Sequence, residues 1–374
     1  MLKRGSLPWS VDSGKTAVIG PLANSSSYLL GTYRGSICNA KQPCDAHKYE
    51  DVGCGCVPSV LTALEAAGVT CMFHPGIADP SDLVTSHPGD DASIKAAVAL
   101  ASSADRIVLV LGNAITVANE GLDRTPPRLP TGTSLPGSQE ALALAVLATG
   151  VPTTLMLVSG ESLAIDALLS ADLPHPPAAI LYHAYPGGTG GTALVESLLG
   201  HHNRFGRLSE TWYPKSYETQ MSPTDFRMAE GVGRSYRCYR GDPLFRFGFG
   251  QSFSTYALQF SRSQQFNVDN NTLPLIFDLG IGTASGPEGD VIILCSLCPV
   301  SVDVPEGTPV PSKQLVAAQR LSVGATGSHA TARFVLGEEQ MMLVGVDGKR
   351  SVRSGTYDVI FDSGVSNISV RVMI

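Results

Sequence analysis

The stretch Arg106-Ile-Val-Leu-Val-Leu-Gly112, followed closely by Asn119-Glu-Gly-Leu-Asp-Arg124, decides how this chain is read. An unbroken apolar run of this length, stopped by glycine, reads as a strand buried on both faces. Such strands belong to parallel sheets, and open α/β sheets place their ligands outside the carboxyl ends of the strands. Glu120 stands on a loop just past that edge, where a catalytic acid would be placed. Asp123 and Arg124 beside it are expected to pair and give the loop a fixed shape.

The same alternation extends in both directions from this strand. Candidate strands are Ala17–Gly20, Thr70–Phe73, Ile107–Gly112, Thr153–Ser159 and Ala179–Tyr185; helical patterns cover Pro58–Gly68, Ala92–Ala104, Gln139–Thr149 and Gly190–Leu199. Short apolar strands alternating with helices predict a mostly parallel sheet with helices on both faces. From Asn203 to Gln251 the chain is rich in Gly, Pro, Arg and aromatics and reads as an ordered, loop-rich band. After Tyr256 the pattern becomes alternating strands at Leu273–Leu279, Asp290–Leu297, Ala330–Leu336, Thr356–Phe361 and Asn367–Ile374, with turn signals such as Val346-Asp-Gly348 between them. That spacing predicts a small antiparallel sandwich of the immunoglobulin or fibronectin kind. The domain boundaries expected are 1–14 for a linker, 15–255 for the α/β domain with its band, and 256–374 for the sandwich.

Composition narrows the function classes. The chain has 374 residues, 43% hydrophobic and 16% charged, with a formal net charge of -7. That is ordinary globular composition with room for two cores. The absence of a basic block argues against a nucleic-acid partner, and no apolar run is long enough to span a bilayer. The first residues lack the apolar core of a signal peptide. Eight cysteines include Cys54-Gly-Cys56 and Cys295-x-x-Cys298. The first pair is too close for a zinc knuckle and no histidine follows at ligand spacing, so disulfides or buried thiols are favoured over a metal. Three sequons, Asn24-Ser-Ser26, Asn270-Asn-Thr272 and Asn367-Ile-Ser369, suit a secretory history.

Read in order, several motifs resemble glycoside hydrolase family 3, and more closely its β-xylosidase-like branch. Ala17-Val-Ile-Gly-Pro-Leu-Ala-Asn24 resembles the first strand and turn of that family's second domain, and Leu30-Gly-Thr-Tyr-Arg-Gly35 a loop that follows, with Cys38 where that branch often has a cysteine. Glu120-Gly-Leu-Asp-Arg124 and Leu135-Pro-Gly-Ser-Gln139 resemble its acid/base loop. Tyr185-Pro-Gly-Gly-Thr-Gly-Gly191, Gly206-Arg-Leu-Ser-Glu-Thr-Trp-Tyr-Pro214, Gly233-Arg-Ser-Tyr-Arg237 and Phe247-Gly-Phe-Gly-Gln-Ser-Phe253 are similar to later signatures. The Gly187–Gly191 turn lacks the lysine and ribose-binding acid of a nucleotide cradle, and tight strand–helix packing accounts for it better.

The resemblance implies retaining hydrolysis of terminal sugars from xylan-derived oligosaccharides, without a cofactor. In such a mechanism an Asp nucleophile and a second acid stand roughly 5–5.5 Å apart. The family draws the nucleophile from an N-terminal (β/α) barrel and the acid/base from the α/β domain that follows. By this resemblance Glu120 is the acid/base candidate, supported by Asp123 and Arg124; the role asks for a partly desolvated cleft to raise its pKa. Two departures stand out: Ala118 replaces the first of two acids that many relatives carry, and Thr125–Ser134 reads as an insertion. Met1–Ser10 resembles the linker out of the barrel, so the barrel is expected upstream or in trans. No Ser-Asp-Trp-like nucleophile motif occurs, Thr224-Asp-Phe226 being the nearest imitation. The alternative reading is a stand-alone, catalytically inactive carbohydrate-binding or scaffolding protein. The loops around Glu120 are expected to present apolar surface where a barrel would sit. Trp212, Arg234 and Arg237 invite a sugar-facing role or plain packing.

Overall fold

A computed structural model describes residues 1–3, 5–11, 14–31, 57–124, 131–222, 224–261 and 273–374. Two compact units emerge: one comprises Leu2–His202 with Tyr213–Lys215, the other Met1, Asn203–Trp212 and Ser216–Ile374.

The first unit is an α/β domain. Strands β1 (Thr16–Ile19), β2 (Cys71–His74), β3 (Arg106–Gly112), β4 (Thr153–Val158) and β5 (Ala179–His183) form one sheet in the order β2-β1-β3-β4-β5. Every pairing is parallel. All residues of β1, β3 and β4 are buried, whereas β2, at the sheet edge, is only half-buried. This difference is why the interior strands read as unbroken apolar runs. Helices α1 (Val60–Ala66), α2 (Asp90–Ser102), α3 (Gln139–Leu147), α4 (Asp166–Leu169) and α5 (Gly190–Leu199) connect the strands. α1 packs on α5 and α2 on α3, two separate helix pairs flanking the sheet. The Ser59 hydroxyl caps α1 by accepting from Thr62 N at 3.1 Å, and Gly200 ends α5 at a φ of 76°. A methyl group on Gly191 would stand 2.2 Å from the Pro58 carbonyl oxygen. The glycine-rich turn is therefore a packing device, as its missing lysine suggests.

The start of the chain guards the open side of β5. Leu2 N donates to Ile180 O and Ile180 N to Lys3 O, both at 2.9 Å, in an antiparallel bridge. Trp9 lies under Arg106, whose guanidinium carbon is 4.2 Å from the ring centre. The segment expected as a linker thus covers a sheet edge that would otherwise offer unpaired backbone groups.

The second unit is antiparallel. Its strands are β6 (Thr255–Phe260), β7 (Leu275–Ser285), β8 (Gly289–Val302), β9 (Gln314–Val323), β10 (His329–Leu336), β11 (Met342–Val344), β12 (Arg350–Val352), β13 (Gly355–Asp362) and β14 (Asn367–Met373). They form sheets ordered β10-β7-β6 and β14-β13-β8-β9, with β11-β12 as a separate hairpin. Alternate residues point inward: Phe277, Leu279 and Ile281 from β7 meet Tyr357, Val359 and Phe361 from β13 in one core. The Tyr357 hydroxyl donates to the Arg353 carbonyl at 2.6 Å, the short backward reach of a tyrosine corner.

The loop-rich band packs with these sheets. Asn203 Nδ2 donates to Ser254 Oγ at 2.9 Å, and Phe205 meets Phe253 edge-on at 5.1 Å. Arg246 pairs with the buried Asp362, its Nη2 3.0 Å from Oδ1. These contacts are why compactness divides the chain near 202/203, ahead of the 255/256 boundary read from the strand pattern. Trp212 is fully buried, edge-on to Phe245 at 5.9 Å, so its role is packing. Arg237 Nη2 donates to Gln314 at 3.0 Å, Arg234 Nη2 to the Ser222 carbonyl at 2.8 Å, and Tyr236 stacks on Phe247 at 4.1 Å.

Candidate functional site

The candidate site lies at the carboxyl ends of β3, β4 and β5, within the first unit. After β3 the chain passes through Asn113 into a tight turn. Asn119 N donates to Leu122 O at 3.3 Å and Leu122 N to Asn119 O at 3.0 Å. Gly121 takes a φ of 77°, and nothing lies within 4 Å of where its Cβ would be. Glycine is therefore required here for its backbone conformation alone, as at the third position of a type II turn. Glu120 rides the exposed tip of this turn, and Asp123 is exposed just beyond it.

Arg124 points the other way. Its side chain is only 6% exposed; Nη1 lies 2.9 Å from Glu161 Oε1, and Nη2 donates to the Ser134 carbonyl. The expected partner was the neighbouring Asp123, but the guanidinium turns inward to a carboxylate 37 positions away. Adjacent residues leaving a tight turn project in different directions, which sequence proximity alone conceals.

Glu161 is the centre of a network. Asn113 Nδ2 donates to the same Oε1 at 2.6 Å, and the Tyr185 hydroxyl donates to Asn113 Oδ1 at 3.2 Å. Ser159 shapes the loop after β4 by donating to the Glu161 carbonyl at 2.6 Å. Burial, and then the nearby Glu161 carboxylate, raise the Tyr185 pKa, with a Gly160 backbone contact and Arg124 opposing. The phenol therefore stays a proton donor at neutral pH. A methyl group on Gly160 would stand 2.5 Å from the Tyr185 ring, so glycine lets the ring lie across this loop.

These groups line a cleft of about 270 Å³ formed by Asn113, Ala118, Asn119, Leu122, Asp123, Arg124, Gly160, Glu161 and Tyr185. Its wall is mainly polar. Glu120 itself stands beside this lining and not in it. Asn113, Glu161 and Tyr185 were not singled out from sequence as site residues. A usable signal existed for Glu161: like Glu120, it is a Glu just past the carboxyl end of a fully buried strand.

The Leu135-Pro-Gly-Ser-Gln139 motif anchors the strand behind the cleft. Gln139 is completely buried and clasps Gly112, accepting from its N and donating to its O, each at 2.9 Å. Ser138 Oγ donates to Asp90 at 2.6 Å, and Gly137 has a φ of 57° with the Leu83 carbonyl 2.8 Å from its absent Cβ. Elsewhere, Asp225 is ion-paired with Arg227 at 2.9 Å, and hydrogen bonds from that arginine hold its carboxyl down at about 2. That exposed local pair gives the Thr224-Asp-Phe226 segment a structural account.

No cluster of His, Cys, Asp and Glu suited to a metal occurs among the described residues. Cys71, Cys238, Cys295 and Cys298 are free thiols, and burial pushes Cys295 up to about 12. Cys38, Cys44, Cys54, Cys56, most of the Leu30–Gly35 loop, residues 125–130 of the insertion and Asn270 lie outside the described residues. No helix among the described residues is long and apolar enough to cross a membrane.

Comparison with known proteins brings the geometry into a family. The family model described as "Glycosyl hydrolase family 3 C-terminal domain" matches residues 1–253. A protein named "Probable beta-D-xylosidase 7" from Arabidopsis thaliana is 34% identical over 70% of this chain and 30% of its own length. "Exo-1,4-beta-xylosidase bxlB" from Emericella nidulans is 28% identical over 94% of this chain and 43% of its own length. The chain thus spans less than half the length of these relatives. Among solved structures, a GH3 exo-beta-xylosidase (XlnD) in complex with a xylobiose aziridine probe superposes over the whole chain and 46% of its own, with a TM-score of 0.80 at 23% identity. That likeness supports the fold: a parallel α/β domain followed by a β-sandwich. With the family model covering most of the chain and the ordered motifs in place, this chain belongs to the glycosyl hydrolase family 3 C-terminal domain family.

Proposed function

We propose that this chain is the C-terminal portion of a retaining β-xylosidase-like glycosidase, in which Glu120 is the acid/base and Asp123 and Arg124 support its loop. The observation that carries this reading is the turn at Asn119–Leu122. It presents Glu120, exposed, at the carboxyl edge of a buried parallel strand, while Arg124 ties the same loop to Glu161. An exposed acid at that edge suits a site completed by another domain, here a (β/α) barrel carrying the nucleophile, supplied upstream or in trans. The xylosidase names of the sequence relatives point to terminal sugars of xylan-derived oligosaccharides as the substrate class. In this mechanism Glu120 protonates the departing oxygen, and the resulting carboxylate then removes a proton from the water that opens the glycosyl–enzyme bond. The exposed sequon residues Asn24 and Asn367 favour a secreted glycoprotein. The domain division 1–14, 15–255 and 256–374 is part of the same proposal.

The test is Glu120→Ala in a protein that also contains the barrel. Hydrolysis of xylosides with poor leaving groups should fall about 10²–10⁴-fold, with a far smaller loss on activated aryl xylosides. Azide should restore part of the rate by attacking the intermediate directly. Equal losses on both substrate classes, with no effect of azide, would remove Glu120 from the role.

The competing reading is a carbohydrate-binding or scaffolding protein without chemistry. One observation favours it: the cleft is lined by other polar groups, with Glu120 standing beside them. Sugar binding without any turnover in the barrel-containing parent protein would select that reading.

A further inference from the structure

Glu161 reaches into the cleft in a manner that its ion pair does not fully explain. Both protein donors, Asn113 Nδ2 and Arg124 Nη1, meet the same oxygen, Oε1. A carboxylate has about four lone-pair sites, two on each oxygen. Oε1 is thus filled, while Oε2 accepts from no described residue, and the side chain is 40% exposed. Around it, Arg124 binds Glu161 and Ser134 through its two Nη atoms, its Nε is buried out of a ligand's reach, and the Tyr185 hydroxyl binds Asn113. Oε2 of Glu161 therefore offers an acceptor to the cleft and asks for a ligand with donors.

We propose that this cleft is a subsite for one neutral sugar ring, held by hydrogen bonds from its adjacent hydroxyls to Oε2 of Glu161. The proposal rests on the glycosidase reading above and adds to it a binding residue outside the acid/base turn. At about 270 Å³ the cleft sits just below the range of drug-sized pockets, which fits a single ring and not an oligosaccharide. The Tyr185 ring and the Leu122 side chain supply the apolar part of the wall against which a ring's carbon face can lie. Charge-assisted hydrogen bonds from hydroxyls to a carboxylate are roughly twice as strong as neutral ones. The Arg124 and Asn113 contacts hold the carboxylate in place before a ligand arrives.

The experiment is titration of methyl β-D-xyloside into the purified chain, followed by calorimetry and by saturation transfer from protein to sugar protons. Glu161→Gln should weaken binding about 10-fold, the loss of one charge-assisted interaction, with the thermal midpoint held within a few degrees. Glu65→Gln, on the exposed side of α1, should bind as the parent does. On the unaltered chain, 2-deoxy and 3-deoxy xylosides should bind more weakly than the parent sugar, an arm that needs no variant. Equal affinity of the parent and Glu161→Gln chains, absence of xyloside binding, or binding of Ca²⁺ in its place would each overturn the proposal. The two failures are separable. A wrong subsite shows in sugar binding by this chain, whereas a wrong acid/base shows in the leaving-group dependence of turnover.

Discussion

Arg124 and Glu161 meet at 2.9 Å although 37 positions separate them, joining the loop after β3 to the loop after β4. The guanidinium is almost wholly covered while the carboxylate is partly open, so one end of the pair is structural and the other faces the cleft. That asymmetry sets what each substitution should do.

Arg124→Ala should lower stability by about 1–3 kcal/mol, because it strips a donor from both Glu161 and the Ser134 carbonyl. Partial exposure of Glu161 keeps the loss below that of a fully buried pair. Arg124→Lys should recover less than half, since an ammonium cannot serve both acceptors with a planar fork. Urea denaturation of the three proteins measures this, and a loss under about 0.5 kcal/mol for the alanine variant would contradict it.

Gln139 is expected to matter more to the strand than to the helix it begins. Gln139→Leu leaves the Gly112 N–H and C=O buried without partners, at about 1–3 kcal/mol for each group. Amide exchange at Gly112 should accelerate with the loss. Retention of slow exchange there would mean that another group takes over both bonds.

Two glycines of the same turn should respond oppositely to a methyl group. Gly191→Ala drives Cβ to 2.2 Å from the Pro58 carbonyl and should cost about 1–3 kcal/mol through forced backbone movement. Gly188→Ala meets nothing within 4 Å and should stay within about 0.5 kcal/mol of the parent. Thermal melts of both variants check the contrast, and equal destabilisation would refute the packing account.

The thiols of Cys71 and Cys295 should be inert in the folded chain. Burial, aided by Glu65 and Cys298 respectively, pushes them up to about 11 and about 12, so little thiolate exists at pH 8. Because the folded-state values exceed the ordinary thiol value of about 8.5, their contribution to stability is complete below that pH. It is lost as pH climbs through about 11 and then about 12. Labelling by a disulfide reagent at pH 8 should reach these two cysteines only after denaturant is added; prompt native labelling of Cys295 would contradict its burial.

Much of the fold was legible because burial leaves a simple mark on sequence. Runs such as Ile107–Leu111 and Leu155–Val158 are apolar throughout since both faces of their strands are covered, and each predicted strand of the parallel sheet falls within a few residues of its place. Strand β9 was missed: Gln314–Val323 carries Gln, Arg and Ser on a partly exposed face, so the pattern is diluted. The loop band reads in sequence as part of the α/β domain, because its anchors in the second unit, such as Asn203 to Ser254 and Arg246 to Asp362, join residues far apart in the chain.

The site divides along the same line. Local chemistry in the chain was enough to place Glu120 on a loop beyond a buried strand, because an apolar run ended by glycine marks the strand's edge. It was also enough, through motifs kept in order, to identify the family. The choice of Glu161 over Asp123 as the partner of Arg124 belongs to tertiary structure. So do the clasp of Gln139 on Gly112 and the open oxygen that faces the cleft. These depend on which loops the parallel sheet brings side by side, and a hydrogen bond is decided by distance and direction in space, which spacing along the chain does not encode.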